Sequence, residues 1–291
     1  MTSKTICGKT SVLNVTKRHN VAIYDLTKDN PILMVRLPMN TRPCLFCTNP
    51  LTERAREHVI PQWLIDYLGV RDEDLFQGIA QTEDGALLKQ RTHVAQSFVE
   101  GRVCKQCSNG WISDLDNQVR PFLTDLMTGQ RTLHALGAEE RLVLGRWTAK
   151  TAFVLSNAAP LEAVVPEDHS RTLKENSESL PVGVGVFANQ HEPTGKFSYV
   201  QKNHWLRFSE EEQPEHPQRY KIALQLQNLL LLVVHWPPPT RLILAAATHI
   251  PIWPIETLSP SYYPGIDLPR PYDSRSLLMR FSDTLAVLHP N

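Results

Sequence analysis

The sequence has little that would mark a membrane protein or a strongly charged binding protein. Even the apolar run Leu229 to Val234 is far shorter than the roughly 20 residues that a membrane span requires, and no apolar stretch of signal-peptide length stands near the N-terminus. Lysine and arginine together number 30, as do aspartate and glutamate, so the formal net charge is zero. We therefore expect no membrane segment, and any contact with nucleic acid must use a local basic patch.

Two catalytic signatures are also missing. The chain has no Gly-x-Ser-x-Gly elbow and no phosphate-cradling Gly-Lys-Ser/Thr loop, which argues against a serine hydrolase of that type and against a P-loop nucleotidase. Its apolar content of 42% and charged content of 21% are ordinary for a globular protein. A chain of 291 residues can form one large domain or two modest ones, each with its own core.

Cysteine is scarce, but its placement is informative. Four of the five cysteines form two C-x-x-C pairs, Cys44 with Cys47 and Cys104 with Cys107, and Cys7 stands alone. Four thiolates at this spacing satisfy the tetrahedral coordination of a structural zinc ion. Bound metal in a reducing compartment explains such a set better than a disulfide framework. The sequence therefore predicts structural Zn²⁺ on these four cysteines and a cytoplasmic protein.

The two pairs bracket the pentapeptide Glu57-His58-Val59-Ile60-Pro61, and the second pair is followed by Ser108-Asn109-Gly110-Trp111. Because the zinc ion already has four sulfur ligands, His58 is free for chemistry. The unperturbed pKa of histidine lies near neutrality, so an imidazole can accept a proton at working pH. The bracket thus indicates a metal-dependent nuclease.

These motifs, in this order, resemble the HNH endonucleases of the ββα-metal type, in the branch whose core holds a four-cysteine zinc. The resemblance covers roughly residues 40 to 128 and implies a zinc-stapled, treble-clef-like module that hydrolyses nucleic acid, with DNA as the expected partner. It implies that His58 is the general base and that Glu57 and Asn109 bind a catalytic Mg²⁺ or Mn²⁺, cations that prefer oxygen ligands.

The chain also departs from this family's pattern. Ser108 stands where many relatives have His or Asn directly after the last cysteine, so either Asn109 takes that role one position later or the metal site is weakened. The family's middle asparagine, which orients the histidine through its backbone, has no match before Cys104. The alternative is a non-catalytic zinc-finger module that binds nucleic acid or protein.

Hydrophobic patterning predicts an α+β fold. Residues 1–40 form an N-terminal β segment, 41–130 the HNH-like module, and 131–291 a helix followed by a β-rich C-terminal domain. Helices are expected after Pro61 with an end at Gly69, from Ile112 to Leu126 with a kink or split at Pro121, and over residues 139–157. Strands are expected at 182–187, 197–200, 223–227, 229–236 and 242–246. The oligomeric state stays open.

Charged segments have two readings each. The first forty residues hold six Lys or Arg and two Asp, so this arm either contacts phosphates or is an ordinary solvated surface. The stretch 64–90 is expected to contain an insertion, and its acidic run 72–74 to be a helix cap or loop. Asp114 and Asp116 are expected to complement a helix dipole, with Asp116 as a spare metal ligand.

Overall fold

The computed structural model describes residues 43–51, 54–71, 74–81, 87–158, 163–191, 196–203, 220–235, 241–244, 249–254, 261–262 and 285–288. All of these belong to one compact unit, Pro43–Asn291. The N-terminal β segment predicted for 1–40, its basic arm, Cys7 and the acidic pair Asp72-Glu73 lie outside the described residues, and the predicted domain boundaries stay a prediction.

The fold mixes helices and strands, as the sequence predicts. Its strands are β1 (Arg54–His58), β2 (Asp74–Gln81), β3 (Leu87–Val94), β4 (Val99–Cys104), β5 (Val184–Gln190), β6 (Phe197–Asn203), β7 (Tyr220–Leu226), β8 (Leu229–His235), β9 (Arg241–Leu244), β10 (Ile250–Trp253), β11 (Ser261–Tyr262) and β12 (Leu285–Leu288). Its α-helices are α1 (Gln62–Leu68), the single turn α2 (Lys105–Cys107), α3 (Ser113–Thr128), α4 (Ala138–Ala158) and α5 (Glu167–Glu175).

A two-stranded antiparallel sheet carries the sequence motifs. Strands β1 and β4 pair from Arg54 opposite Cys104 to His58 opposite Val99, with α1, β2 and β3 between them in the chain. Strand β4 runs directly into α2, which continues through a turn at Ser108–Ile112 into α3. The second cysteine pair therefore stands where a strand becomes a helix.

The helices after Pro61, after the second cysteine pair and over 139–157 are present as α1, α3 and α4, so these predictions are confirmed. Gly69 ends α1 in the left-handed conformation, with φ of 63°, which glycine adopts without a steric penalty. The expected split at Pro121 is wrong, because α3 continues through it. The backbone departs from helical geometry at Gly110 instead, in the turn before α3.

A seven-stranded sheet, in the order β10-β5-β8-β7-β6-β2-β3, forms the larger part of the fold. Strands β7 and β8 are buried along their whole length, which explains why Leu229 to Val234 is continuously apolar. Strands β5 to β9 confirm the strands predicted after residue 180. The sequence did not predict β2 and β3; Asp74 begins β2, so a helix cap or loop at that residue is wrong.

Helix α4 contacts both the two-stranded sheet and the seven-stranded sheet. It packs on α3 and β4 and on β5, β7, β8 and β10, and residues Leu144 to Ser156 are all buried. Gly145 permits the close approach of β10, since a Cβ atom there would lie 3.3 Å from the Cβ atom of Trp253. A three-stranded sheet, in the order β11-β9-β12, completes the described strands. No helix within the described residues is long and apolar enough to cross a membrane.

Candidate metal centre and active site

The four paired cysteines meet at one point. Their Sγ atoms all lie within 4.8 Å of one another, and those of Cys47 and Cys104 are 3.7 Å apart. A zinc–sulfur bond of about 2.3 Å in a tetrahedron separates neighbouring sulfurs by about 3.8 Å. None of the four forms a disulfide. The cluster is therefore positioned to hold a metal ion such as zinc, as the sequence predicts.

Backbone geometry explains how this cluster forms. The first cysteine loop closes on itself through bonds from the Cys44 N–H to the Asn49 carbonyl, 2.9 Å, and from the Thr48 N–H to the Cys44 carbonyl, 3.1 Å. In the second pair, the N–H of Cys104 donates to the Cys44 Sγ and the N–H of Cys107 to the Cys104 Sγ, both at 3.4 Å. Such N–H donors stabilise negative charge on sulfur, which a thiolate ligand requires.

Cysteines within the cluster change one another's pKa values. A hydrogen bond from the Cys107 thiol lowers the pKa of Cys44 to about 4, and the same bond raises the pKa of Cys107 above its ordinary value. Burial raises the pKa of Cys47. In the absence of metal the set thus keeps protons that an arriving cation has to displace, so metal affinity falls as pH falls.

Trp111 fixes the helix side of the cluster to the cysteine loop. Its ring meets that of Phe46 edge to face, with centroids 5.0 Å apart, and Phe46 is fully buried. Edge-to-face packing of this kind adds about 0.5–1.5 kcal/mol beyond burial. Trp111 thereby anchors the turn before α3 to the buried core of the cysteine loop.

Glu57 points into the protein. Its carboxylate is 8% exposed and accepts a hydrogen bond of 2.6 Å from the Ser108 hydroxyl. Burial raises the pKa of Glu57, while Lys150 and the Ser108 hydroxyl oppose that shift. The structure therefore places the Glu57 carboxylate against Ser108, the residue before Asn109. Asn109 itself is exposed.

His58 belongs to the other face of β1, because neighbouring strand residues point in opposite directions. Its imidazole is half-buried. The backbone of Gln96, in the 3₁₀ turn Ala95–Ser97, favours the protonated ring. Burial outweighs this effect and, with the charges of Arg56 and Arg71, lowers the pKa of His58. The ring is neutral near pH 7.

The influence of Gln96 on His58 could not be found from the sequence, because it comes from the backbone, which has no residue signature. The 3₁₀ turn that contains Gln96 follows β3, a strand that the sequence did not predict either.

The sequence also did not predict the buried polar cluster around Asp116. Asp116 Oδ1 accepts hydrogen bonds from the Trp147 indole, 2.8 Å, and from the Lys150 ammonium, 2.9 Å. The side chain of Lys150 is fully buried, and its charge reaches Glu57. Asp116 therefore pairs with a buried cation, and its alternative role as a spare metal ligand stays a prediction. Within the part of the chain that the structure describes, the four cysteines are the one group of three or more Cys, His, Asp or Glu able to share an ion.

Comparison with protein-family models, curated proteins and solved structures found no match to this chain. The functional assignment therefore rests on its residues and their geometry.

Proposed function

We propose that the protein is a metal-dependent endonuclease of the HNH type, which hydrolyses nucleic-acid phosphodiester bonds with His58 as general base. The observation that carries the proposal is the setting of His58. It ends β1, whose antiparallel partner β4 leads into the cysteine turn, and its half-buried imidazole lies on the same face of the strand as the exposed Arg56. A histidine on a strand beside the four-cysteine cluster is the arrangement that the family resemblance calls for.

A neutral imidazole carries its proton on one ring nitrogen and keeps a lone pair on the other. That nitrogen can remove a proton from a water molecule attacking phosphorus. Because the pKa of His58 lies below its ordinary 6.5, the base form predominates at neutral pH.

Two metals belong to the proposal. Zinc on Cys44, Cys47, Cys104 and Cys107 is structural, because a closed four-sulfur shell leaves no position for a substrate. A catalytic Mg²⁺ or Mn²⁺ would be held by Glu57 and Asn109. The donor chemistry fits, since Mg²⁺ commonly uses one or two protein ligands and keeps several waters, and Ser108 ties Glu57 to the chain beside Asn109. The cation would neutralise charge on the phosphate.

Plasmid nicking in the presence of Mg²⁺ or Mn²⁺ tests the assignment. We expect His58→Ala to lower the rate by about 10²–10⁴-fold, the usual contribution of a general base. His134→Ala is the matched control, because His134 is an exposed histidine in another turn, and it should cut like the original protein. Equal cleavage by the original protein and His58→Ala removes the enzyme assignment.

The pH profile supplies a second readout. Cleavage should rise with pH through the pKa of His58 and level off, with a midpoint below 6.5 because burial and two arginines favour the neutral ring. A rate that falls as pH rises from 5 to 8 would exclude His58 as the base.

A non-catalytic zinc-finger module is the second candidate, and one observation favours it. The hydroxyl of Ser108, the residue after the last cysteine, is bonded to the Glu57 carboxylate, which is buried. A carboxylate satisfied in this way has less to offer a cation. Under this alternative the protein holds zinc and binds its partner, but no added divalent cation produces cleavage.

A further inference from the structure

Strand β1 presents a row of cations beside His58. Along Arg54–His58 the two arginines are exposed, Ala55 between them is half-buried, and Glu57 is buried. The pairing with β4 has one irregularity, a β-bulge between the pairs Ala55–Val103 and Glu57–Glu100. One residue of β1 lies between these pairs but two residues of β4 do, so the extra residue is in β4 and the side chains of β1 keep their regular alternation. Arg54, Arg56 and His58 therefore share one face of the strand.

The charge of Arg71, on another element, also acts on this imidazole. Arg71 stands just after α1 and, together with Arg56, is one of the two cations whose charge acts on His58. Its own partner is Asp66, one turn earlier, and both side chains are exposed, at 43% and 53%. An exposed pair of this kind is worth about 0–1 kcal/mol. A stronger anion can therefore replace Asp66 at little cost.

Arg54 and Arg56 have no acidic partner within the described residues. Unpaired guanidinium groups on a regular strand present forked N–H donors, which match the geometry of phosphate oxygens better than an ammonium does. In a chain with zero net charge, such a local cluster is the form that nucleic-acid contact has to take. Its place beside the proposed general base distinguishes it from scattered surface charge.

We propose that Arg56 and Arg71, with Arg54 next in the row, bind the backbone phosphates of a nucleic-acid strand and hold it against His58. The inference rests on the proposed function and extends it to the substrate contact. Arg56 lies on the strand of the base and Arg71 on the segment after α1, so the two approach one phosphodiester from different elements. Phosphate contacts position a strand without reading its sequence, so binding through these arginines is independent of sequence.

The test measures binding separately from cleavage. Affinity for duplex DNA of mixed sequence is determined in the His58→Ala background, which holds the strand without cutting it, over 50–200 mM sodium chloride. A plot of the logarithm of the binding constant against the logarithm of the salt concentration gives a negative slope, and each lost phosphate contact should reduce its magnitude by about 0.9. Over the fourfold rise in salt, the variant should therefore lose about 3.5-fold less affinity than the original protein does. We expect this change for Arg56→Ala and for Arg71→Ala.

Three controls make the result specific. Arg56→Lys keeps the charge, so the slope should stay while affinity falls through loss of the forked contact. Lys174→Ala removes one cation from α5 and should change neither slope nor affinity. Sodium phosphate at matched ionic strength should compete better than chloride, because the same guanidinium groups recognise phosphate oxygens, and Arg56→Ala should reduce that advantage. If Arg56→Ala loses binding of inorganic phosphate while its DNA affinity is unchanged, the arginines form a site for free phosphate only, which overturns the inference.

The outcomes separate the two proposals. An unchanged slope and affinity in both Arg56→Ala and Arg71→Ala overturn the inference, whether or not the original protein cuts DNA. An arginine-dependent slope in a protein that never cleaves with Mg²⁺ or Mn²⁺ supports the inference and removes the nuclease assignment. Cleavage with an unchanged KM in both variants leaves the nuclease assignment and rejects these arginines as phosphate contacts.

Discussion

Replacing Lys150 with methionine should strongly destabilise the protein, because it breaks a buried ion pair. The Lys150 side chain is fully buried in the middle of α4, and its ammonium group donates to Asp116 at 2.9 Å. Methionine fills a similar volume with no charge, so the change tests the ion pair rather than packing. It leaves the Asp116 carboxylate, 14% exposed, without its cation, and it removes the positive charge that opposes protonation of Glu57.

The magnitude follows from the burial of the pair. Breaking a buried ion pair by removing one partner costs about 3–5 kcal/mol, because the remaining charge is uncompensated. For a unit of this size, about 2–4 °C of melting temperature is lost per kcal/mol, so Lys150→Met should melt about 6–20 °C lower. The double variant Lys150→Met/Asp116→Leu should recover most of that loss, since an apolar replacement of both partners is often neutral. What remains is the unpaired Trp147 indole N–H, at about 1–3 kcal/mol.

Thermal unfolding followed by circular dichroism, with zinc content matched between samples, measures both variants. Lys174→Met, on α5, is the control and should stay within about 0.5 kcal/mol of the original protein. If Lys150→Met has the same melting temperature as Lys174→Met, the ion pair does not hold α4 to α3. If the double variant melts as low as the single one, the loss comes from packing and the electrostatic reasoning is refuted.

Three further outcomes are expected. Cys107→Ser should lower bound zinc, measured by mass spectrometry, from one ion per chain, and chelation should lower the melting temperature of the original protein; a cysteine variant with full zinc content contradicts the site. Burial lowers the pKa of His169 from 6.5 to about 4, so its contribution to stability is complete above about pH 6.5 and is lost as pH falls toward 4, at up to about 1.4 kcal/mol per pH unit. His169→Gln should flatten that part of the stability profile relative to the original protein, and an unchanged profile would exclude this residue as its cause. Ser108→Ala removes the 2.6 Å hydrogen bond to the buried Glu57 carboxylate and should lower the free energy of unfolding, measured by urea denaturation, by about 1–3 kcal/mol. An unchanged free energy of unfolding would mean that the carboxylate does not depend on this bond.

The parts of this fold that the sequence predicts are those encoded by short-range spacing. The two cysteine pairs, the apolar stripe of α3 and the glycine that ends α1 each occupy a few consecutive residues, and each is where the spacing puts it. The run Leu229 to Val234 likewise predicts a strand buried on both faces, which β8 is.

The parts that the sequence does not predict depend on contacts between distant residues. Strands β2 and β3 join the large sheet because β2 pairs in parallel with β6, more than a hundred residues later, and no local pattern specifies such a partner. The pair of Asp116 and Lys150 spans 34 residues. A lone lysine within an apolar helix signals a buried partner, but it does not say which carboxylate that partner is.

Strand β1 divides the candidate site between two environments. Glu57 faces inward, where the Ser108 hydroxyl and the buried Lys150 charge act on its carboxylate. His58, the next residue, faces Arg56 and Arg71. Because consecutive strand residues point to opposite faces, the two side chains can act on one phosphodiester only around the end of the strand, and β1 ends at His58. Under the proposed function, proton transfer and phosphate binding would therefore belong to the arginine face, and the inward carboxylate would hold the cysteine turn and a cation beside Asn109.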